Sequence, residues 1–134
     1  MLVLLRRTMH YYFPGMIVGF ILLQTAIIAP TLSKKLENKD FSVVIRALWP
    51  KFFLCLSVLG ISTIITLYFH TNPSTFHYTI AVVTAILASI CYAIIPATNR
   101  ASDEGNQKVF KILHKMSIYL TVSILILNVG FLLG

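Results

Sequence analysis

Histidines are the residues of this chain best suited to bind a metal or a cofactor. His10, His70 and His77 lie near the ends of apolar segments, and His70 and His77 flank one short turn. Neutral imidazole nitrogens bind zinc, copper or haem iron. Histidine is also an amphipathic residue suited to a membrane boundary, so spacing alone is a weak argument for a ligand set. The sequence predicts no cofactor, and a haem or transition metal at these histidines is kept as an alternative.

Further polar side chains lie inside the apolar segments. On the first and on the last segment they share one helical face at about 100° per residue. A polar stripe facing lipid is costly, so we expect these residues to point into a helix bundle, between its first and fourth helices. Interhelical hydrogen bonds or a path for a neutral molecule would both explain this seam. Its candidate members are His10, Gln24, His114, Ser117, Thr121 and Asn128.

Carboxylates are missing from the apolar segments. Glu37, Asp40, Asp103 and Glu104 are the only acidic residues, and all four lie in polar connections. The paired acids of glycosidases and the buried acid relays of ion-coupled transporters therefore have no counterpart here. Ser-His-Asp, HExxH, P-loop and CxxC patterns are also missing. The sequence predicts no catalytic residue and favours a protein that is not an enzyme.

The elements that must position these residues are membrane-spanning helices. The chain of 134 residues is 57% hydrophobic and 11% charged, whereas about a quarter of a typical globular domain is charged. About twenty apolar residues cross a roughly 30 Å hydrocarbon layer as a helix. The sequence predicts one all-α transmembrane domain, residues 1–134, folded as an integral membrane four-helix bundle. Its spans are approximately 13–32, 52–69, 76–95 and 112–133.

The stretch before the second span is too long to lie wholly inside a bilayer. We expect "FSVVIRALW" to form a short cytoplasmic helix along the interface, with Trp49 as its anchor. Pro50 is then expected to turn the chain into the span.

Basic residues are concentrated on one side of the predicted bundle. Of the 11 lysines and arginines, only Arg6 and Arg7 lie outside two polar connections. By the positive-inside rule, both connections are cytoplasmic and both termini lie on the non-cytoplasmic side of a bacterial-type inner membrane. The net charge of +7 is then a signal for topology and for anionic headgroups, not for nucleic acid. The connections carry Lys34, Lys35, Lys39, Arg46, Lys51, Arg100, Lys108, Lys111 and Lys115.

The most polar connection is "IIPATNRASDEGNQKVFKILHKMS". Lys108, Lys111 and Lys115 lie along one side of its helical part, where each contributes about 1 kcal/mol beside an anionic leaflet. Simple positive-inside anchoring also explains them. Helix capping explains the acidic residues. Asn99 and Arg100 are left over, so the loop 99–115 is the candidate contact for lipid or for a partner protein.

Small residues mark possible helix contacts. Gly15 and Gly19 form a GxxxG motif on the first span, and alanines and Ser89 recur every four residues on the third. Such residues let helices approach closely in lipid. Both stripes are expected either inside the bundle or against a second copy of the chain.

Several of these segments resemble a known membrane family. The quoted elements are "GMIVGFILLQTAIIAPTL", "RALWPKFF" and "PATNRASDEG" followed by "FKILHKMS". They resemble the transmembrane protein 205-like family, which implies a four-helix membrane fold of unassigned activity. In that resemblance Asn99, Arg100, His114 and Ser117 match recurring polar positions.

Together these observations favour a small multi-pass membrane protein that acts as an interaction or accessory module, alone or in a larger membrane complex. A haem- or metal-binding redox subunit or small oxidase is the first alternative. A transporter of a neutral small molecule, using the polar seam, is the second.

Overall fold

The chain folds into long helices. The computed structural model describes residues 2–70 and 72–134, with the side chains of residues 3–7 left out. No strand occurs in these ranges, so the predicted all-α class is confirmed. The helices are α1 (Leu2–Leu22), a π-helical segment (Leu23–Ile28), α2 (Ala29–Lys35), α3 (Asn38–Tyr68), α4 (Thr75–Asp103) and α5 (Gln107–Leu133).

Within the described ranges, four helical stretches are long and apolar enough to cross a membrane, which confirms the predicted number of spans. Their mean hydropathy lies between 1.8 and 2.3. The outer surface carries large apolar side chains such as Phe20, Ile61, Ile86 and Ile126, an arrangement suited to lipid rather than water. The stretches are Thr8–Lys35, Asn38–Tyr68, Thr75–Asp103 and Gln107–Leu133.

The prolines do not end helices where the sequence suggested. Pro50 lies inside α3, which begins at Asn38, so the expected separate interfacial helix before the second span is wrong. Its residues are the first turns of α3. The physical reason is that an unpaired backbone group is costly near lipid, whereas a single proline in a membrane helix is tolerated. Pro96 likewise lies inside α4.

The connection between α4 and α5 is much shorter than the expected loop 99–115. Helix α4 continues to Asp103 and α5 begins at Gln107, so Asn99 and Arg100 are helical and the loop assignment is wrong. Gly105 has φ of 72°, a backbone conformation that glycine adopts without strain. Asn106 caps α5, because its side chain accepts a hydrogen bond from Val109 N at 3.2 Å. This compact turn holds the two helices antiparallel.

The four long helices form a closed bundle. Helix α1 packs against α3 and α5, α4 packs against the same two helices, and α1 and α4 are diagonal. Two buried layers fill the interior. One contains Ile21, Phe53 and Ile124, and the other contains Leu67 and Phe131.

Small residues have different roles on different helices. A Cβ added to Gly60 would lie 3.1 Å from Ala85 N and 3.2 Å from Ala85 Cα, so α3 and α4 touch backbone to backbone. A Cβ on Gly15 or Gly19 would meet nothing within 4 Å. The GxxxG motif of α1 therefore takes no part in the packing of a single chain. The alanine stripe is used in part: Ala81 is buried, whereas Ser89 is exposed.

Candidate functional site

The polar residues singled out in the sequence fall into separate clusters along the bundle. We call the end that carries His10, His70 and His77 the histidine end. The opposite end, which carries the basic residues of α2 through the start of α5, is the basic end. Because its residues are divided among these clusters, the candidate seam does not form one continuous path between the first and fourth helices.

At the histidine end, α1, α4 and the turn after α3 bring three imidazoles together. The ring centroid of His10 lies 4.7 Å from that of His70 and 5.4 Å from that of His77. His10 and His77 are buried, and a cavity of about 400 Å³ lies beside the cluster. The Phe131 ring packs on His77 with a centroid distance of 4.1 Å. The side chains that the sequence placed at one boundary are thus neighbours in space.

This cluster does not have the arrangement of a metal site. Among the described residues, no group of three His, Cys, Asp or Glu side chains is placed to hold an ion. The Nδ1 atom of His70 already accepts a hydrogen bond from Asn72 N at 3.1 Å. His77 is held against Phe131, although its Nε2 atom and Nδ1 of His10 have no protein partner. The described side chains of this cluster therefore do not present three ligands to one metal ion.

Further along the bundle, Asn128 bonds to a residue that the sequence did not identify. Its Nδ2 atom donates to Thr84 Oγ1 at 2.9 Å and to Ile124 O at 2.8 Å. Asn128 is 1% exposed and Thr84 is fully buried. This bond links α5 to α4, not to α1 as the seam hypothesis expected. A threonine in an apolar helix gives no sequence signal of its partner, because its hydroxyl can always bond to its own backbone.

We expect the Asn128–Thr84 hydrogen bond to stabilise the bundle by about 1 kcal/mol, within the range measured for such bonds in membrane proteins. Asn128→Leu, Thr84→Val and the double variant would be unfolded with sodium dodecyl sulfate in mixed micelles, followed by circular dichroism. The coupling energy of this cycle isolates the pair.

The matched control is a second double-mutant cycle, in which Thr63→Val is used in place of Thr84→Val. Thr63 is equally buried, but its hydroxyl donates to its own helix at Leu59 O. Its coupling to Asn128→Leu should lie near zero. Equal coupling in both cycles would show that the hydrogen bond contributes nothing specific.

A second cavity, which we call the Gln24 cavity, lies between α1, α3 and α5 on the basic side of the bundle. Its volume is about 420 Å³, and its walls are mostly apolar. Gln24 is 6% exposed, and its Nε2 atom has no hydrogen-bond partner. Ser117 and Thr121 complete the polar part of the wall. Three of the candidate seam residues therefore do meet here.

The basic end contains a stack of three rings. His114 lies between Trp49 and Phe110, with centroid distances of 5.6 Å on each side and interplanar angles of 8° and 7°. Trp49 is therefore half-buried and packs against the core of the bundle. Phe110 and His114 are four residues apart, a spacing that places both on one helical face. That spacing was the available signal for the stack.

Charged side chains at the basic end differ in their contacts. Arg46 Nη2 lies 2.7 Å from Asp103 Oδ1, a salt bridge that joins α3 to the end of α4. From its sequence position Asp103 was expected to cap a helix, and no sequence pattern identifies Arg46 as its partner. Lys108, Lys111 and Lys115 are exposed, as is Arg100.

Thr98, Asn99 and Arg100, near the end of α4, differ in their surroundings. Thr98 is buried and donates to Ile94 O at 2.9 Å. Asn99 is half-buried and lines a further cavity of about 420 Å³ together with Arg46, Trp49 and His114. Of these three side chains, only that of Arg100 is exposed.

Comparison with known proteins places the chain in a family without assigning an activity. Neither a curated protein nor a solved structure is detectably similar to it. The family model that matches covers residues 13–107, and its description does not name the transmembrane protein 205-like family of the sequence resemblance. Since the match covers more than half of the chain, the protein belongs to the family described as a domain of unknown function, DUF4149.

Proposed function

We propose that this protein is a non-catalytic accessory module of a bacterial-type inner membrane. Its basic end lies on the cytoplasmic side and binds anionic lipid headgroups, alone or as part of a larger membrane complex. The four apolar helices support the membrane assignment. The orientation and the contact rest on the distribution of basic residues.

One observation carries the proposal. At about 100° per residue, Lys111 and Lys115 lie within about 60° of Lys108 on the surface of α5. All three side chains are exposed at the start of this helix, and Arg100 is exposed near the end of the neighbouring α4. Within the described ranges the one salt bridge is Arg46–Asp103, so these lysines are not neutralised by the protein. A one-sided row of unpaired cations suits a layer of phosphate groups.

The test compares two triple variants with equal charge changes. Lys108, Lys111 and Lys115 are each changed to Gln in the first, and Lys34, Lys35 and Lys39 in the second. Phosphatidylglycerol retained by the purified protein is measured by native mass spectrometry, in competition with phosphatidylcholine. We expect the first variant's preference for the anionic lipid to fall at least fivefold, because its three lysines share one helical face and can contact the headgroup layer together.

The second variant serves as the matched control, because its lysines are divided between the end of α2 and the start of α3. We expect less than a twofold change for it. Equal losses in both variants would show that only the total charge of the basic end matters, as simple positive-inside anchoring requires. No loss in either would remove the headgroup contact from the proposal.

The two alternatives from the sequence have less support. A redox subunit would show a stoichiometric haem band or bound metal in the purified protein, and the described histidines do not form a group of three metal ligands. A transporter of a neutral molecule would use the polar seam, yet Asn128 is tied to Thr84 and lies apart from the Gln24 cavity. Kinship with the transmembrane protein 205-like family is part of this proposal and rests on the quoted sequence elements alone.

A further inference from the structure

The Gln24 cavity contains a buried hydrogen-bond donor that the described residues leave without an acceptor. That donor is Nε2 of Gln24. The hydroxyl groups of Thr25 and Thr121 donate to Ile21 O and Ser117 O, each at 2.7 Å, and neither accepts a hydrogen bond from this amide. A buried amide without a partner is costly, and native proteins pair such groups with each other, with water or with a ligand.

The backbone around Gln24 is unusual as well. Leu23–Ile28 forms a π-helical segment, in which the Ala29 N–H donates to Gln24 O, five residues earlier. Wide turns of this kind are rare inside α-helices and occur frequently at functional sites. Here the wide turn lies at the wall of the cavity. It interrupts α-helical hydrogen bonding at the position where the unpaired amide enters the interior.

The cavity opens to the side of the bundle. Thr25, Ile118 and Val122 line it and are also exposed on the outer surface. Gln24 precedes Lys34 by ten residues, roughly 15 Å of helix, and Thr121 follows Lys115 by six, roughly 9 Å. The opening therefore faces the acyl chains of the leaflet at the basic end, about 9–15 Å along the helices from the lysines.

We propose that the Gln24 cavity binds a lipid-soluble molecule from this leaflet and that the Gln24 amide donates a hydrogen bond to a carbonyl oxygen of that molecule. The volume of about 420 Å³ lies within the usual range of small-molecule sites, and aromatic walls with few polar groups are typical of such sites. Trp49, Phe52 and Phe53 supply the apolar contact. A glycerolipid ester and a membrane quinone both present this carbonyl chemistry. The inference is independent of the headgroup contact proposed above.

The chain provides its own reporter for this site. Trp49 is the single tryptophan of the protein and lines the cavity, so quenching of its fluorescence reports on occupancy. The protein in nanodiscs would be titrated with decylubiquinone. In a second arm, an ester-linked brominated phosphatidylcholine is compared with its ether-linked analogue, which lacks the carbonyl groups. Saturable quenching by decylubiquinone identifies a quinone site, and stronger quenching by the ester than by the ether lipid identifies a glycerolipid site.

Gln24→Leu is expected to weaken the saturable quenching about fivefold, as the loss of one hydrogen bond predicts. Gln107→Leu is the matched control, because it makes the same change at an exposed position and should leave quenching unchanged. Ala29→Leu fills the cavity from another wall and should abolish saturation while Gln24 is kept. If the Gln24→Leu variant does not fold, the loss of saturable quenching in the Ala29→Leu variant tests the proposal instead.

Three results would overturn the proposal. Equal affinity of the Gln24→Leu variant and the wild type would show that the amide binds no ligand. Unsaturable quenching by both probes would mean that the cavity holds only water or bulk lipid. Unchanged quenching in the Ala29→Leu variant would place the bound probe elsewhere.

Discussion

Replacing Gly60 by leucine is expected to lower the free energy of unfolding by about 3 kcal/mol. Even a single Cβ at this position would lie 3.1 Å from the backbone nitrogen of Ala85, which cannot move unless α4 moves. A leucine adds three more carbon atoms to this contact, and overpacking of this kind typically costs about 1–3 kcal/mol and occasionally more. Unfolding by sodium dodecyl sulfate, followed by circular dichroism, measures the loss.

Gly19→Leu is the matched control for Gly60→Leu. It introduces the same side chain into another membrane helix, at a position where a Cβ would meet nothing within 4 Å. We expect its free energy of unfolding to equal or exceed that of the wild type, since leucine favours helices more than glycine does. Equal losses in the two variants would mean that α3 and α4 do not touch at Gly60.

Phe131→Ala is expected to lower the free energy of unfolding by about 3–5 kcal/mol, the usual cost of removing a buried phenylalanine. Phe131 is 0% exposed. Its ring centroid lies 4.1 Å from that of His77, 5.8 Å from that of Tyr11 and 5.9 Å from that of His10. The truncation leaves a hole where α1, α4 and α5 meet. Lipid chains cannot refill it from the side without displacing the aromatic neighbours.

The same denaturant titration tests this prediction. Phe20→Ala is its control, because Phe20 is 44% exposed on the outer face of α1. We expect less than 1 kcal/mol for Phe20→Ala, since lipid replaces the missing ring. A loss for Phe131→Ala no larger than that of its control would contradict the packed arrangement of the histidine end.

Features governed by hydropathy were predictable from sequence. The four spans follow from long runs without charge, because lipid leaves a chain no alternative to helical backbone pairing. The same principle explains the error at Pro50. A proline signals a helix end in water, where freed backbone groups bond to solvent, but α3 continues through it to Tyr68.

Contacts between helices were less predictable. The polar face of α5 was evident from spacing, and its residues are largely buried. Spacing does not identify the partner, because it fixes rotation about one helix axis and not the neighbour in the bundle. Asn128 was therefore assigned to the first helix, although it bonds to Thr84 on α4. The Gln24 cavity depends on a π-helical turn, for which no simple residue pattern exists.

The salt bridge between Arg46 and Asp103 joins two helices that are longer than a hydrocarbon layer is thick. Helix α3 has 31 residues and is about 46 Å long, against roughly 30 Å of hydrocarbon. Helices of this length extend into water at their ends, whereas their middle parts face lipid. Added salt screens charges over about 10 Å at 0.1 M and so loosens the attachment of α3 to α4 at the basic end. The packed interior around Gly60 and Phe131 has no such sensitivity, so ionic strength changes the helix ends at the basic end while bilayer composition acts on the body of the bundle.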